Sequence, residues 1–168
     1  MTVTGFLVHE GRVLLHWHRR NQLWLPMGGH IEANEDPIEA VVREVLEESG
    51  VEAEVLAAAP PLPFANIPQR PPPATVLLAP VKSCGLARRL GWEGPVEHID
   101  LVYYTRPRAG LAGLRTDDPT MRWLDAAELT ASRPVAPMAD VAPVAPPDDV
   151  RVLALDALRV AQGQAAGG

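Results

Sequence analysis

A single cysteine, Cys84, in 168 residues has no partner within the chain, so neither a disulfide framework nor a CxxC zinc site can form. Long apolar runs are missing as well. None approaches the roughly 18 residues of a membrane span, and the opening residues lack the basic-then-apolar order of a secretory signal. The simplest placement is cytoplasmic, with no membrane partner. Basic residues are outnumbered, 15 Lys and Arg against 21 Asp and Glu, for a formal charge of −6. That balance argues against a basic surface for a nucleic-acid polymer. It leaves a nucleotide open as a ligand, because bound metal ions reverse the local sign. No internal repeat is visible. What is plentiful is apolar character, 47% of the chain, enough to bury one good core.

The chain alternates strand-like and helix-like stretches. Val3 to Val8 and Arg12 to Trp17 read as a hairpin joined by Glu10-Gly11. Leu23 to Pro26 leads into a glycine turn at Gly28-Gly29, a helix follows, and Glu52 to Ala58 is expected as a strand. The prolines from Pro60 to Pro73 cannot sit inside a sheet and predict a long surface loop. Thr75 to Val81 and Ile99 to Thr105 resume the sheet, and Asp125 to Thr130 starts a short helix. Residues 1–132 are expected to form the main domain. Residues 133–168 add a proline-rich linker or arm, Pro134 to Pro147, and an amphipathic helix from Val150 to Val160 capped by Asp148 or Asp149, packed on the same domain.

The helix after the glycines carries the most information. Asp36 suits the N-cap, Pro37 the first turn, Glu39 the capping box and Gly50 the stop. At about 100° per residue from Glu44, Glu47 lies near roughly 300° and Glu48 near roughly 40°. Ile38, Val41, Val42, Val45 and Leu46 fall on the other side and predict a face that docks on the core. Glu44 and Glu48, at i and i+4, disfavour a helix by a few tenths of a kcal/mol, and no lysine in the helix offsets them. A glutamate-rich solvated face is the plain alternative. Carboxylates gathered this way suggest a cation among them and metal-assisted attack on a phosphate. Arg43, at roughly 260°, neighbours Glu47 and can donate its planar fork to a carboxylate.

The stretch Gly29 to Val51 resembles the Nudix box: G, five residues, E, seven residues, R-E, an aliphatic, any residue, E-E, any residue, G, an aliphatic. Gly29, Glu35, Arg43, Glu44, Val45, Glu47, Glu48, Gly50 and Val51 fill every defined position. A chance match in a chain this long is on the order of one in ten million, so the motif outweighs the solvated-face reading. Trp24 to Glu32 resembles the usual run into the box, and Arg122-Trp123-Leu124 with Glu128-Leu129 the usual domain end. The likeness covers about Thr2 to Thr130.

The resemblance implies an α+β fold, the Nudix mixed sheet between helices in three layers. It implies an enzyme, a hydrolase of phosphoric anhydride bonds. Glu44, Glu47 and Glu48 with the backbone carbonyl of Gly29 would be the metal ligands, for magnesium or manganese. Arg43 would orient Glu47. Glu35 is open between a loop-to-helix contact and a metal role. The general base is open too: Glu47 comes first, and Glu93 or Glu97 are the downstream choices. The implied substrate is a small-molecule nucleoside diphosphate derivative, such as a nucleoside triphosphate, a nucleotide sugar or a dinucleoside polyphosphate.

Outside the box, Trp17, Trp24, Phe64 and Tyr104 are candidates to stack a base, Arg19 and Arg20 to meet phosphates, and Glu97 is a further candidate substrate contact. Each has a plain alternative in core, rim or solvated charge. His18 and His30 are read as turn or strand histidines rather than metal ligands. A homodimer is compatible with the C-terminal arm. The competing reading within the family is a catalytically inactive nucleotide-binding regulator. Such proteins lose acids of the box, and this chain keeps all of them. Isomerase relatives need a catalytic cysteine in a setting that Cys84 lacks.

Overall fold

A computed structural model describes residues 1–57, 62–64, 66–81, 91, 96–115 and 118–165. Cys84 and Glu93 lie outside these. Among the described residues the strands are β1 (Thr2–His9), β2 (Arg12–His18), β3 (Leu23–Leu25), β4 (Met27–His30), β5 (Ala53–Val55), β6 (Thr75–Val81), β7 (Val96–Pro107) and β8 (Met121–Asp125). The helices are α1 (Pro37–Ser49), α2 (Ala126–Thr130) and α3 (Asp148–Ala165).

The strands form one mixed sheet around β1. One edge of β1 runs parallel to β7, from Thr2 opposite Asp100 to Leu7 opposite Thr105. Its other edge is shared: Thr2 to Gly5 pair with β4, and Leu7 to His9 with β2. The β1–β2 hairpin turns where expected. Glu10 (φ 46°) and Gly11 (φ 73°) are both left-handed, as a tight hairpin with the native strand twist requires.

One expectation is corrected between Leu23 and His30. The lead-in Leu23 to Pro26 is strand β3 up to Leu25, and at Pro26, which has no N–H to give, the chain leaves β2 and joins β1 as β4. The glycine turn is strand β4 itself, with Val3 opposite Gly29 and Thr4 opposite Gly28. Of the expected strand Glu52 to Ala58, Ala53 to Val55 form β5 against the end of β7, Leu56 N adds a bond to the Tyr104 carbonyl, and Ala58 lies outside the described residues.

Helix α1 is specified locally. The Asp36 carboxylate accepts from Ile38 N and Glu39 N at 2.8 and 3.1 Å, the Glu39 carboxylate accepts from Asp36 N at 2.9 Å, and Gly50 (φ 80°) closes the helix. Ala40, Val41 and Val45 are buried with Val3, Leu7, Met27 and Tyr103 on one face of the sheet. Burying a valine stabilises by about 1.5–3 kcal/mol. Gly5 makes the close packing fit, since a Cβ there would meet the Val45 and Val41 methyls at 2.8 and 2.9 Å. Leu46, expected in the docking face, is 41% exposed, because it stands at the margin of the apolar stripe. Ser49 is buried in its place, its Oγ donating to the Val45 carbonyl at 2.6 Å.

The opposite face carries α2 and α3. Val150, Ala154, Ala157 and Leu158 are buried with Phe6, Val8, Trp17, Trp24, Val102 and Tyr104. Alternation along β1 sends Val3 and Leu7 to the α1 side and Phe6 and Val8 to the α3 side. The result is an α+β sandwich with helices on both faces. Helix α3 starts two residues earlier than expected, which puts Asp148 and Asp149 in its first turn, where negative charge suits the helix dipole. The proline-rich segment is tied down: Val135 bridges Val144, and Trp24 Nε1 donates to the Val135 carbonyl at 3.1 Å. Among the described residues, no helix is long and apolar enough to cross a membrane.

Candidate active site

Helix α1 sets its acids against β4. Glu48 lies next to Val41 on the helix wheel, so its carboxyl is carried toward the core edge, where Oε2 accepts from Gly28 N at 2.9 Å. Burial pushes its pKa up to about 7; the negative charges of Glu44 and Glu47 add to this and the Gly28 N–H opposes it. His16 Nε2 stands 3.9 Å from Glu48 Oε2. Burial lowers that imidazole to about 4, so the contact is not an ion pair near neutral pH.

Arg43 gathers the rest. Its fork lies on Glu35, with Nε to Oε2 at 3.0 Å and Nη2 to Oε1 at 2.7 Å. Nη1 donates to Glu44 at 2.9 Å and reaches Glu47 at only 3.3 Å; Nη2 also donates to the His30 carbonyl at 3.1 Å. The expected partner, Glu47, is thus the weakest of three, because its side chain is 59% exposed while Glu35 offers a matching planar carboxylate at 14%. Hydrogen bonds from Arg43 and Glu32 N hold the Glu35 carboxyl below its usual range. Of its two open readings, the geometry displays the loop-to-helix contact.

The glycines make this closeness possible. A Cβ on Gly29 would collide with the Glu44 carboxylate, and one on Gly28 with the Val3 carbonyl oxygen. Among the described residues, no three acidic, histidine or cysteine side chains converge as a ready ligand set. In kind, however, the donors fit a hard divalent cation: three carboxylates and the Gly29 backbone oxygen, at a cradle that a side chain on Gly29 would fill.

On the far side of β4 opens a cleft of about 330 Å³. Gly28, Gly29 and His16 line it, together with Asp149, Val150 and Leu153 of α3. Phe6, Leu25, Leu77 and Val102 give it apolar walls, and Thr2, Thr4, His98 and Asp100 a polar floor. Acids and cleft therefore meet across the backbone of two glycines.

A model of the NUDIX domain matches residues 1–143. The chain belongs to the Nudix family. It is a Nudix hydrolase, an enzyme of phosphoric anhydride bonds. Among solved structures it is similar to a NUDIX-family hydrolase from Clostridium perfringens, at 24% identity over 95% of this chain and 96% of that one, with a TM-score of 0.66. It is similar in fold to the E. coli ORF135 protein (18% identity, 97% and 90% covered, TM-score 0.51). An ADP-ribose pyrophosphatase from Streptococcus suis matches at 17% identity, 94% and 90% coverage and TM-score 0.50. No curated protein matches the chain.

The substrate contacts expected of this Nudix hydrolase outside its box fare differently from the box itself. Trp24 is fully buried, packed edge-on to Trp17 at 5.6 Å, so neither ring has a face for a base. Tyr104 is also a core residue, and its hydroxyl donates to Asp156 at 2.8 Å. Phe64 and Glu97 are exposed and do not line the cleft; nor do Arg19 and Arg20, at the exposed turn after β2. His18 is a turn histidine, its Nδ1 accepting from Asn21 N at 3.1 Å, and also a cleft residue. His30 stacks edge-on against His98 at 5.0 Å. Sequence reasoning passed over Thr2, Thr4, His16, His98 and Asp100. One signal was available: Asp100 interrupts an otherwise apolar run, Ile99-Asp100-Leu101-Val102.

Proposed function

We propose that this Nudix hydrolase is a divalent-metal-dependent pyrophosphohydrolase that cleaves a nucleoside diphosphate linked to another moiety, by attack of water on phosphorus. The Glu44, Glu47 and Glu48 carboxylates and the Gly29 carbonyl would hold magnesium, or manganese in its place. A cation bound there would screen the diphosphate and lower the pKa of water at neutral pH. The chain's own groups have separable tasks. Arg43 ties the loop before α1 to the helix through Glu35 and balances the charge of Glu44. Gly28 N–H fixes the Glu48 carboxyl against β4, whose glycines line the cleft. Glu47, exposed and only loosely held by Arg43, is the group best free to take a proton from water. The cleft receives the nucleoside, its apolar walls covering a ring while the diphosphate lies toward the glycines.

One observation carries this reading. Burial pushes the Glu48 carboxyl up to about 7, with the charges of Glu44 and Glu47 adding to it, and Glu48 is bonded to Gly28, which lines a nucleoside-sized cleft. The test is turnover of a panel of nucleoside triphosphates, nucleotide sugars and dinucleoside polyphosphates with and without magnesium. Wild type should turn over at least one in a metal-dependent way, and Glu47→Gln and Glu48→Gln should each lower kcat by about 10²–10⁴-fold with the fold retained. Retention of most activity in either variant removes that residue from the reaction.

A further inference from the structure

Asp100 and the two threonines that face it form a recognition point that the hydrolytic step does not use. Asp100 lies in β7 between Ile99 and Leu101, and its side chain reaches the cleft floor. Thr2 Oγ1 donates to Asp100 Oδ1 at 2.8 Å, and Thr4 Oγ1 to Oδ2 at 2.7 Å. Both hydroxyl protons are thereby engaged, and the carboxylate has none to give. The patch therefore shows the cleft only acceptors: the remaining lone pairs of Asp100 and those of two hydroxyl oxygens. A ligand edge seated there must bring donors, and an acceptor in its place would be left unpaired at a cost. The two threonines also fix the carboxylate plane, so the free lone pairs point in set directions.

The position along the cleft narrows the ligand further. Thr4 pairs with Gly28 and Thr2 with Asp100, so β1 separates Asp100 from the glycines of β4. Two strand spacings are about 10 Å, which leaves room for a sugar between a diphosphate at the glycines and a ring edge at Asp100. Phe6, Leu77, Val102 and Leu153 supply apolar surface for that ring.

Resting on the nucleotide-hydrolysing reading, we propose that Asp100, held by Thr2 and Thr4, selects a guanine base through its ring N–H and adjacent exocyclic amino group. Uracil and thymine flank a single N–H with two carbonyls. Adenine and cytosine set an amino group beside a bare ring nitrogen, an acceptor. Among the common bases guanine alone presents two neighbouring donors, the match for two carboxylate oxygens in a bidentate, charge-assisted pair.

Calorimetric binding of guanosine, inosine, adenosine and uridine 5′-monophosphates to the full chain tests this. The guanosine nucleotide should bind about tenfold or more tightly than the inosine one, which lacks only the amino group. Asp100→Asn places a donor where an acceptor stood and should bring that ratio to within about threefold. Thr2→Val, a smaller change that releases one carboxylate oxygen, should reduce the ratio part-way should the first variant not fold. Equal or undetectable binding of the guanosine and inosine nucleotides overturns the proposal. So does a loss of binding on removing the 2′-hydroxyl while base identity has no effect, since the ribose would then be the donor. A guanine preference in binding with no turnover of any panel member leaves the recognition standing and sinks the hydrolytic reading.

Discussion

The two faces of the sheet handle polar groups in opposite ways. On the α1 face the carboxylates crowd together, and Arg43 alone serves Glu35, Glu44, Glu47 and the His30 carbonyl. On the α3 face the polar groups are set among apolar walls, and among the described residues the Asp100 carboxylate accepts from two threonines. Charge under tension suits a place where a cation or a reacting phosphate arrives. A sparse, satisfied acceptor set in apolar surface suits discrimination between rings. The α3 face also carries the cluster that includes both Trp17 and Trp24, so stability and recognition share a side while the chemistry stands across β4.

The largest effect expected from this division is on stability. Leu129 in α2 is fully buried in the α3-side cluster and does not line the cleft. Leu129→Ala should cost about 2–5 kcal/mol, from lost transfer energy plus the cavity left behind. Urea unfolding measures it, and kcat per folded molecule should stay within about threefold of wild type. A large fall in kcat at temperatures where the variant is folded would break the separation of the two faces.

Arg43→Lys should do the reverse. Lysine keeps the charge but loses the fork that spans Glu35 and reaches Glu44. Metal-dependent activity should fall by about 10–100-fold. Because the side chain is partly exposed, stability should change by less than about 1 kcal/mol. Full activity in this variant would mean that the loop before α1 needs no guanidinium to hold it.

The same contrast explains what could be read in the sequence. The α1 side is built from Gly28 to Gly50, a stretch whose spacing on a helix and strand is fixed by local geometry, so cap, stop, docking face and acids could all be placed from letters alone. Its corrections were Gly28-Gly29, which pair with β1 as a strand instead of turning, Leu46 at the edge of the stripe, and Glu35 ahead of Glu47 as a partner of Arg43, because strand pairing, side-chain reach and exposure decide those. The α3 side joins residues 2 and 4, 98 to 102 and 149 to 153. Their meeting depends on β1 pairing in parallel with β7 and on α3 packing back over both, long-range choices that no local pattern announces. For three of the four aromatic residues, Trp17, Trp24 and Tyr104, it is the plain alternative to base stacking, a place in the core, that holds. A negative charge amid apolar neighbours in β7 carried the recognition signal instead.

The smallest effect separates charge from fold within the α1 face. Glu48 titrates near 7, where 4.5 is ordinary. Below about 4.5 its carboxyl is protonated in both the folded and the unfolded chain, and above about 7 it is charged in both; in between, only the folded chain holds the proton. The charged form is the one that burial disfavours, so in the absence of divalent ions the fold should lose stability as pH climbs from about 4.5 to about 7. Allowing for a side chain that is 29% exposed, the loss is about 1–2 kcal/mol. Glu48→Gln keeps an acceptor for the Gly28 N–H and removes the charge. In EDTA its urea midpoint should exceed that of wild type at pH 8 and converge with it near pH 4.5. Parallel curves for the two proteins across that range would mean that Glu48 is as easily ionised as a surface carboxylate, and the tension assigned to the α1 face would rest on Glu44 and Glu47 alone.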